Sequence, residues 1–242
     1  MKSWWIRSEG GKTLLDARET MAVPARLSWE EAAATPLVYL VSYDMLYPGG
    51  NLAPGEWLLV MGASSGVGVA SVQIGKLVGA NVIGTSGSAA KLDRLRPLGL
   101  DVGIQVRGGG FLDAVMKATG GKGADLVVNA VGGTVFAECI RALAFRGRFA
   151  MVGYVDGVMR GELDLEALHA KRLRLFGVSN KLRTAPQRAE TVAGFVRDVL
   201  PAFADGRVRP VVDRVFPLAE LPAAKAYMES DAQVGKIVVT AG

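Results

Sequence analysis

Short apolar runs alternate with amphipathic stretches in a regular order from about residue 57 to residue 178. Runs of this kind, rich in Val, Leu and Ile, read as strands buried on both faces, because a sheet covered on each side has no wet face to fill with polar residues. Strands are therefore predicted at 57–61, 81–85, 102–105, 126–129, 148–152 and 173–178. The segments between them carry apolar residues at helical spacing, over 68–78, 89–95, 111–119, 134–143 and 163–170. Strict alternation of strand and helix makes parallel crossovers, so the pattern predicts an α/β fold with a doubly wound, six-stranded Rossmann sheet in the order 3-2-1-4-5-6.

The two ends of the chain follow other patterns. Residues 1–24, with adjacent Trp4 and Trp5 and then Gly10-Gly11, show no strong period and predict at most one or two strands. Ser28 to Glu31 is a capping box that starts a helix; Pro36 interrupts it, and a second helix is expected over 38–46. After the sixth strand, a capping box from Thr184 to Gln187 opens a helix to about 204, followed by a strand near 211–216, a helix over 219–229 and a last strand at 236–240. The expected division is a dinucleotide-binding domain at 41–182 flanked by two end segments, 1–40 and 183–242.

The first core strand ends in Gly62-Ala63-Ser64-Ser65-Gly66-Val67-Gly68, and a small-residue helix follows at once. A strand, a tight turn and a helix N-terminus leave backbone N–H groups free at the positive end of the helix dipole, where a pyrophosphate binds. The end of the second strand selects the form of dinucleotide. NAD calls for an Asp or Glu about 20 residues after the glycines, to accept from both ribose hydroxyls. Here the chain reads Gly84-Thr85-Ser86-Gly87-Ser88-Ala89-Ala90-Lys91, with no acid before Asp93. Small hydroxyls and a lysine suit a 2′-phosphate, so NADPH is the expected cofactor. Ser88 also fits the N-cap of the next helix.

Composition narrows the function classes. With 242 residues, half of them hydrophobic, the chain can bury a large core. No apolar run approaches the roughly 20 residues that cross a bilayer, and the N-terminus leads into charges, so a cytoplasmic protein without a membrane partner is expected. A single cysteine, Cys139, excludes an internal disulfide, and with a single histidine, His169, there are too few soft ligands for a tetrahedral zinc site. The net charge of +5 favours anionic ligands, which nucleotide phosphates satisfy. A loose basic cluster, Lys171, Arg172, Arg174, Lys181, Arg183 and Arg188, reads as a solvated face with helix C-terminal charges. It lacks the interleaved aromatics of a nucleic-acid surface.

Val23-Pro24, Ser28 to Ala34, Pro54-Gly55-Glu56, Gly62 to Gly68, Asn129-Ala130-Val131-Gly132-Gly133, Gly147-Arg148 to Gly153 and Gly235 to Val239 together resemble the medium-chain dehydrogenase/reductases. Within them the chain is most similar to the zinc-independent quinone oxidoreductases, the zeta-crystallin-like branch. The resemblance implies that Ser64, Ser65, Gly66, Val67 and Gly68 cradle the pyrophosphate, and that Ser86, Gly87, Ser88 and Lys91 surround the 2′-phosphate. It places Asn129, Ala130, Val131, Gly153 and Tyr154 along the nicotinamide ribose, Phe176, Gly177 and Val178 near the nicotinamide, and Ser42 where relatives carry a threonine facing that ring. It makes 1–40 and 183–242 the remnant of a GroES-like substrate domain, most of which is missing, and it implies a homodimer through the edge strand near 173–178. The chain departs from the pattern after its third strand, where relatives carry a tyrosine and this sequence reads Gln105-Val106-Arg107.

The enzyme reading is hydride transfer to a quinone or an α,β-unsaturated carbonyl, with Ser42, Tyr43 or Tyr154 as hydrogen-bond donor to the developing oxyanion. A short-chain dehydrogenase is excluded, because no Tyr-x-x-x-Lys occurs. The alternative is a truncated, non-catalytic NADPH-binding module with a redox-sensing, regulatory or nucleic-acid-binding role.

Overall fold

The computed structural model describes residues 6–8, 11–13 and 16–241; Trp4, Trp5 and Gly10 lie outside them. The chain begins with an antiparallel pair, β1 (Ile6–Ser8) and β2 (Gly11–Thr13). Helix α1 (Trp29–Ala33) starts at the expected capping box, with Ser28 Oγ accepting from Glu31 N and Glu31 accepting from Ser28 N. Helix α2 (Pro36–Asp44) begins on Pro36 itself, because proline at the first helical position forfeits only an N–H that has no partner there. It runs on through a π-helical turn, Met45–Gly49, in place of the ordinary helix end predicted at 46.

The core unit follows in order: β3 (Trp57–Met61), α3 (Gly66–Val78), β4 (Asn81–Ser86), α4 (Ala89–Leu95), β5 (Val102–Gln105), α5 (Leu112–Ala118), β6 (Ala124–Asn129), α6 (Phe136–Ala142), β7 (Leu143–Met151), α7 (Leu165–Ala170) and β8 (Arg174–Gly177). All six strands are parallel and ordered β5-β4-β3-β6-β7-β8, which is the predicted 3-2-1-4-5-6. Successive side chains of β3 go to opposite faces and therefore to different cores. Leu58 and Val60 pack under α2 and α3, while Leu59 and Met61 pack with Ile83, Phe111, Val127 and Ile140 under α5 and α6. Strand β7 starts five residues earlier than predicted. Its pairing with β6 shifts between Ala124 and Leu126, and Arg146 in that stretch has φ 62°, so the extra length is a bulge that no periodicity reveals.

Past β8, helix α8 (Ala185–Asp198) and helix α9 (Leu200–Asp205) replace the single long helix expected to 204. Pro201 has no N–H to continue the ladder, and the break falls just before it, at Val199. Strand β9 (Val212–Pro217), helix α10 (Leu221–Glu229) and strand β10 (Lys236–Thr240) complete the described chain, β9 and β10 forming a parallel pair apart from the main sheet. Phe195, Val199 and Phe203 share the α2–α3 core, and Phe195 meets the rings of Tyr43 and Phe203 edge-on at 6.2 and 5.9 Å. Among the described residues, no helix is long and apolar enough to cross a membrane.

Because Phe195 is fully buried at this junction, Phe195→Ala is expected to cost about 3–5 kcal/mol and to lower one cooperative urea transition of the whole chain. Two separate transitions would show that the C-terminal helices fold apart from the sheet.

Candidate dinucleotide site

At the end of β3 the chain reverses at Gly62, with φ 69°, a left-handed conformation that side chains disfavour. Ser65 caps α3, its Oγ accepting from Gly68 N at 3.0 Å. The helix seats so closely that a Cβ on Gly68 would stand 2.4 Å from Gly62 O. The glycine at 68 therefore serves the packing of helix on strand, and only the remaining first-turn N–H groups are available to a ligand. Gly235 N donates to Ser64 O at 2.9 Å, so the start of β10 is stitched to this turn from the far end of the sequence.

Beside the turn lies a cavity of about 340 Å³. Of the residues expected to hold a cofactor, Gly62, Ser64, Ser65, Ser86, Gly87, Ser88, Lys91, Ala130 and Val131 line it. Ser86 ends β4, with its Oγ 3.4 Å from Ser64 Oγ. Ser88 caps α4 through Lys91 N, and Lys91 Nζ donates to the carbonyl of Asp231. The Arg107 guanidinium covers Gly87, its Nε 3.0 Å from where a Cβ there would sit. Asp93, the first acid after β4, pairs with Arg96 and is not in the cavity wall.

The structure places the other expected residues differently. Ala63 is fully buried and its N donates to Thr85 O at 2.8 Å, while Gly66, Val67 and Gly68 form the helix start behind the wall. Asn129 is also fully buried: its Oδ1 accepts from Val131 N and Gly132 N at 2.9 and 3.0 Å, and its Nδ2 donates to Gly132 O at 2.9 Å. It shapes the loop that carries Ala130 and Val131 to the cavity. Gly153 and Tyr154 follow β7, and Phe176, Gly177 and Val178 end β8; all lie at the strands' C-terminal ends but outside the cavity wall, where Val155 stands instead of Tyr154. The Phe176 ring packs on Gly49.

Two of the expected oxyanion donors are corrected. Ser42 has no exposed surface; its Oγ donates to Val67 O at 3.2 Å and shares a hydrogen bond with Ser71 Oγ at 3.1 Å. It braces α3 from below and cannot face a ligand in this arrangement. Tyr43 is buried between α2 and α8, its ring stacked on Tyr47 at 4.9 Å and its hydroxyl donating to Asp198 at 2.8 Å. Burial and the neighbouring carboxylate push its pKa up, away from any use as an acid. Tyr154, 53% exposed, makes no hydrogen bond through its hydroxyl among the described residues.

No periodicity or motif signals the loop before β10, whose Ser230, Asp231 and Gln233 close the cavity opposite Ser88 and Lys91. Gln233 Oε1 is buried and has no hydrogen-bond partner among the described residues. The orphaned Gln233 oxygen is an acceptor that fits a ligand hydroxyl, such as that of a ribose, while the surrounding hydroxyls and cations fit a dinucleotide phosphate. Among the described residues no three His, Cys, Asp or Glu side chains are grouped to hold a metal ion, and burial pushes the Cys139 thiol up.

The family model described as zinc-binding dehydrogenase matches residues 66–196, from the start of α3 through β4–β8 and into α8. The chain belongs to the medium-chain dehydrogenase/reductase superfamily. It is 32% identical over 219 residues to a phenolphthiocerol/phthiocerol polyketide synthase of Mycobacterium tuberculosis, covering 90% of this chain and 10% of that protein. The solved structure of an NAD-dependent alcohol dehydrogenase is 36% identical with a TM-score of 0.78, covering 90% of this chain and 61% of the other. The mycobacterial protein Rv1454c complexed with NADPH is 26% identical with a TM-score of 0.80, covering 90% and 67%. Enoyl reductases and quinone oxidoreductase-like proteins are also among the superfamily members it matches. The chain thus spans about a tenth of the polyketide synthase and about three-fifths of the alcohol dehydrogenase. These matches place the chain in a superfamily of oxidoreductases.

Asn129→Ala removes three hydrogen bonds from a buried turn and leaves two N–H groups unpaired. It is expected to lower stability by about 2–4 kcal/mol and to weaken nicotinamide nucleotide binding more than tenfold, read by thermal melting and fluorescence titration.

Proposed function

We propose that this domain holds NADPH in the cavity beside α3 and serves the reduction of a quinone or an α,β-unsaturated carbonyl without zinc. The observation that carries the reading is the adenosine end: Ser86, Ser88, Lys91 and Arg107 stand where an NAD enzyme of this fold needs a carboxylate for the ribose diol. NADPH, when bound, supplies the hydride from its nicotinamide C4. The first-turn N–H groups of α3, with Ser64 and Ser65, hold the pyrophosphate; Lys91 and Arg107 neutralise the 2′-phosphate; the Asn129 turn sets the ribose contacts of Ala130 and Val131. Gly153 and Tyr154, with Phe176, Gly177 and Val178, form the floor toward the nicotinamide. Of the three expected oxyanion donors, Tyr154 alone is exposed and makes no hydroxyl hydrogen bond among the described residues.

The same reading assigns residues 1–40 and 183–242 to the GroES-like substrate side and the protein to the cytoplasm. It also makes the chain a homodimer through β8, the edge of the main sheet, whose outer backbone groups invite a second copy. Light scattering at micromolar concentration should then give twice the chain mass, and a monomeric mass would remove the dimer. A second reading, an NADPH-binding module without turnover, is favoured by one observation: Ser42 and Tyr43 are both committed to packing.

Titration with NADPH and NADH, followed by addition of a naphthoquinone and then an enone, separates the two. Oxidation of bound NADPH by either acceptor supports the reductase; binding with no turnover supports the module. The pair Lys91→Ala/Arg107→Ala should raise the Kd for NADPH 10- to 100-fold and leave that for NADH within about threefold. An equal loss for both nucleotides would count against 2′-phosphate recognition.

A further inference from the structure

A second concentration of positive charge lies at the other end of the sheet. The nucleotide cavity opens at the C-terminal ends of β3 and β4; roughly 15 Å away, one strand length, the N-terminal ends of β7 and β8 border a concavity of about 500 Å³. It is lined by Arg146, Arg148, Arg172 and Arg174, and among the described residues its one carboxylate is that of Glu56. That carboxylate is paired with Arg148, whose guanidinium donates to Glu56 Oε1 and Oε2 at 2.9 and 2.5 Å and whose Nε donates to Gly50 O at 2.8 Å; Ala53 N also donates to Glu56 Oε2 at 2.9 Å. Arg146, Arg172 and Arg174 are exposed and make no ion pair among the described residues. Of the basic cluster visible in the sequence, Arg183 and Arg188 are neutralised by Asp44 and Glu19, and the Lys171 ammonium donates to two backbone carbonyls; Arg172, Arg174 and Lys181 make no ion pair among the described residues, and of these three Arg172 and Arg174 line the concavity.

Arg148 and Arg174 are register partners on adjacent strands, and Glu56 balances only Arg148, so the Arg174 charge has no carboxylate partner among the described residues. Arg146 and Arg172 both adopt left-handed backbone, with φ 62° and 54°, where glycine or asparagine would be at ease. Their turns are bound to each other, Arg146 N donating to Lys171 O at 2.6 Å, and both arginines line the concavity. Planar guanidinium forks lining one concavity whose carboxylate is already paired suit an anion bearing more than one phosphate charge.

We propose that this concavity is a second anion site, separate from the nucleotide cavity, which binds a small ligand carrying a di- or polyphosphate group through Arg146, Arg172 and Arg174. The reading is independent of which nucleotide occupies the first site.

Calorimetric titration of the full chain with pyrophosphate tests it. The variant Arg146→Asn/Arg172→Asn/Arg174→Thr keeps left-handed-compatible residues at both turns and removes the like-charge pair. It should lose pyrophosphate affinity at this site at least tenfold while its Tm stays equal or rises and NADPH binding is unchanged. Lys91→Ala/Arg107→Ala should leave this pyrophosphate site intact. The single change Arg174→Thr, which touches neither turn, should weaken binding in the same direction, and citrate should bind the parent chain at least tenfold less tightly than pyrophosphate. Unchanged pyrophosphate affinity in the triple or single variant would overturn the proposal, as would equal affinity for citrate, which would mark diffuse charge attraction.

Discussion

The close seating of α3 on the end of β3 is the constraint on which the rest depends. At Gly68 there is no room for even one side-chain carbon, because Gly62 O would stand 2.4 Å away. That approach fixes where the helix N-terminus points, and with it the direction of the partial positive charge presented to the cavity. Everything around the contact is arranged to keep it. Ser42 and Ser71 are small enough to let α2 lie against α3, and their hydroxyls bond to each other and to Val67 O so that no polar group is stranded. Gly235 closes the turn from above through Ser64 O.

The chain's end segments are tied to this unit by buried polar networks as well as by apolar packing. Gln73 on α3 is the clearest case. Its Nε2 donates to Tyr39 OH and to Arg209 O, both at 2.9 Å, and its Oε1 accepts from Arg209 N at 2.8 Å. Every polar atom of that amide is satisfied by a residue on α2 or in the stretch leading to β9. A fully paired network of this kind costs little in place and much if one member is removed, so it fixes one relative placement of the segments where apolar contacts alone would tolerate several. Asp44, Thr191 and Arg183 repeat the device between α2 and α8.

Much of this was legible in the sequence, and the reasons are local. Strands β3 and β5, helix α4 and strand β10 fall on their predicted bounds because each is bracketed by glycine, proline or a cap. The strand order follows from the crossovers. What escaped reading is long-range or geometric. The β7 bulge depends on pairing with β6, and the loop of Ser230, Asp231 and Gln233 reaches the cavity only because β10 docks beside the glycine turn. Ser42 and Tyr43 misled because spacing places a residue on a helix but does not say which neighbour its hydroxyl meets; here those neighbours are Val67 and Asp198.

Lys91 illustrates how such a site can be assembled in advance of its ligand. The ammonium, at the start of α4, donates to the carbonyl of Asp231, a neutral acceptor on the loop across the cavity. A hydrogen bond to a carbonyl holds a lysine in place, and one to a phosphate adds the attraction of a full opposite charge. In the NADPH reading the 2′-phosphate therefore displaces a weaker partner and need not order a free side chain, whose rotamer entropy would otherwise cost on the order of 1–2 kcal/mol. The same contact holds the loop of Asp231 and Gln233 against α4, so the wall bearing the orphaned amide and the cation that faces it are positioned by one bond.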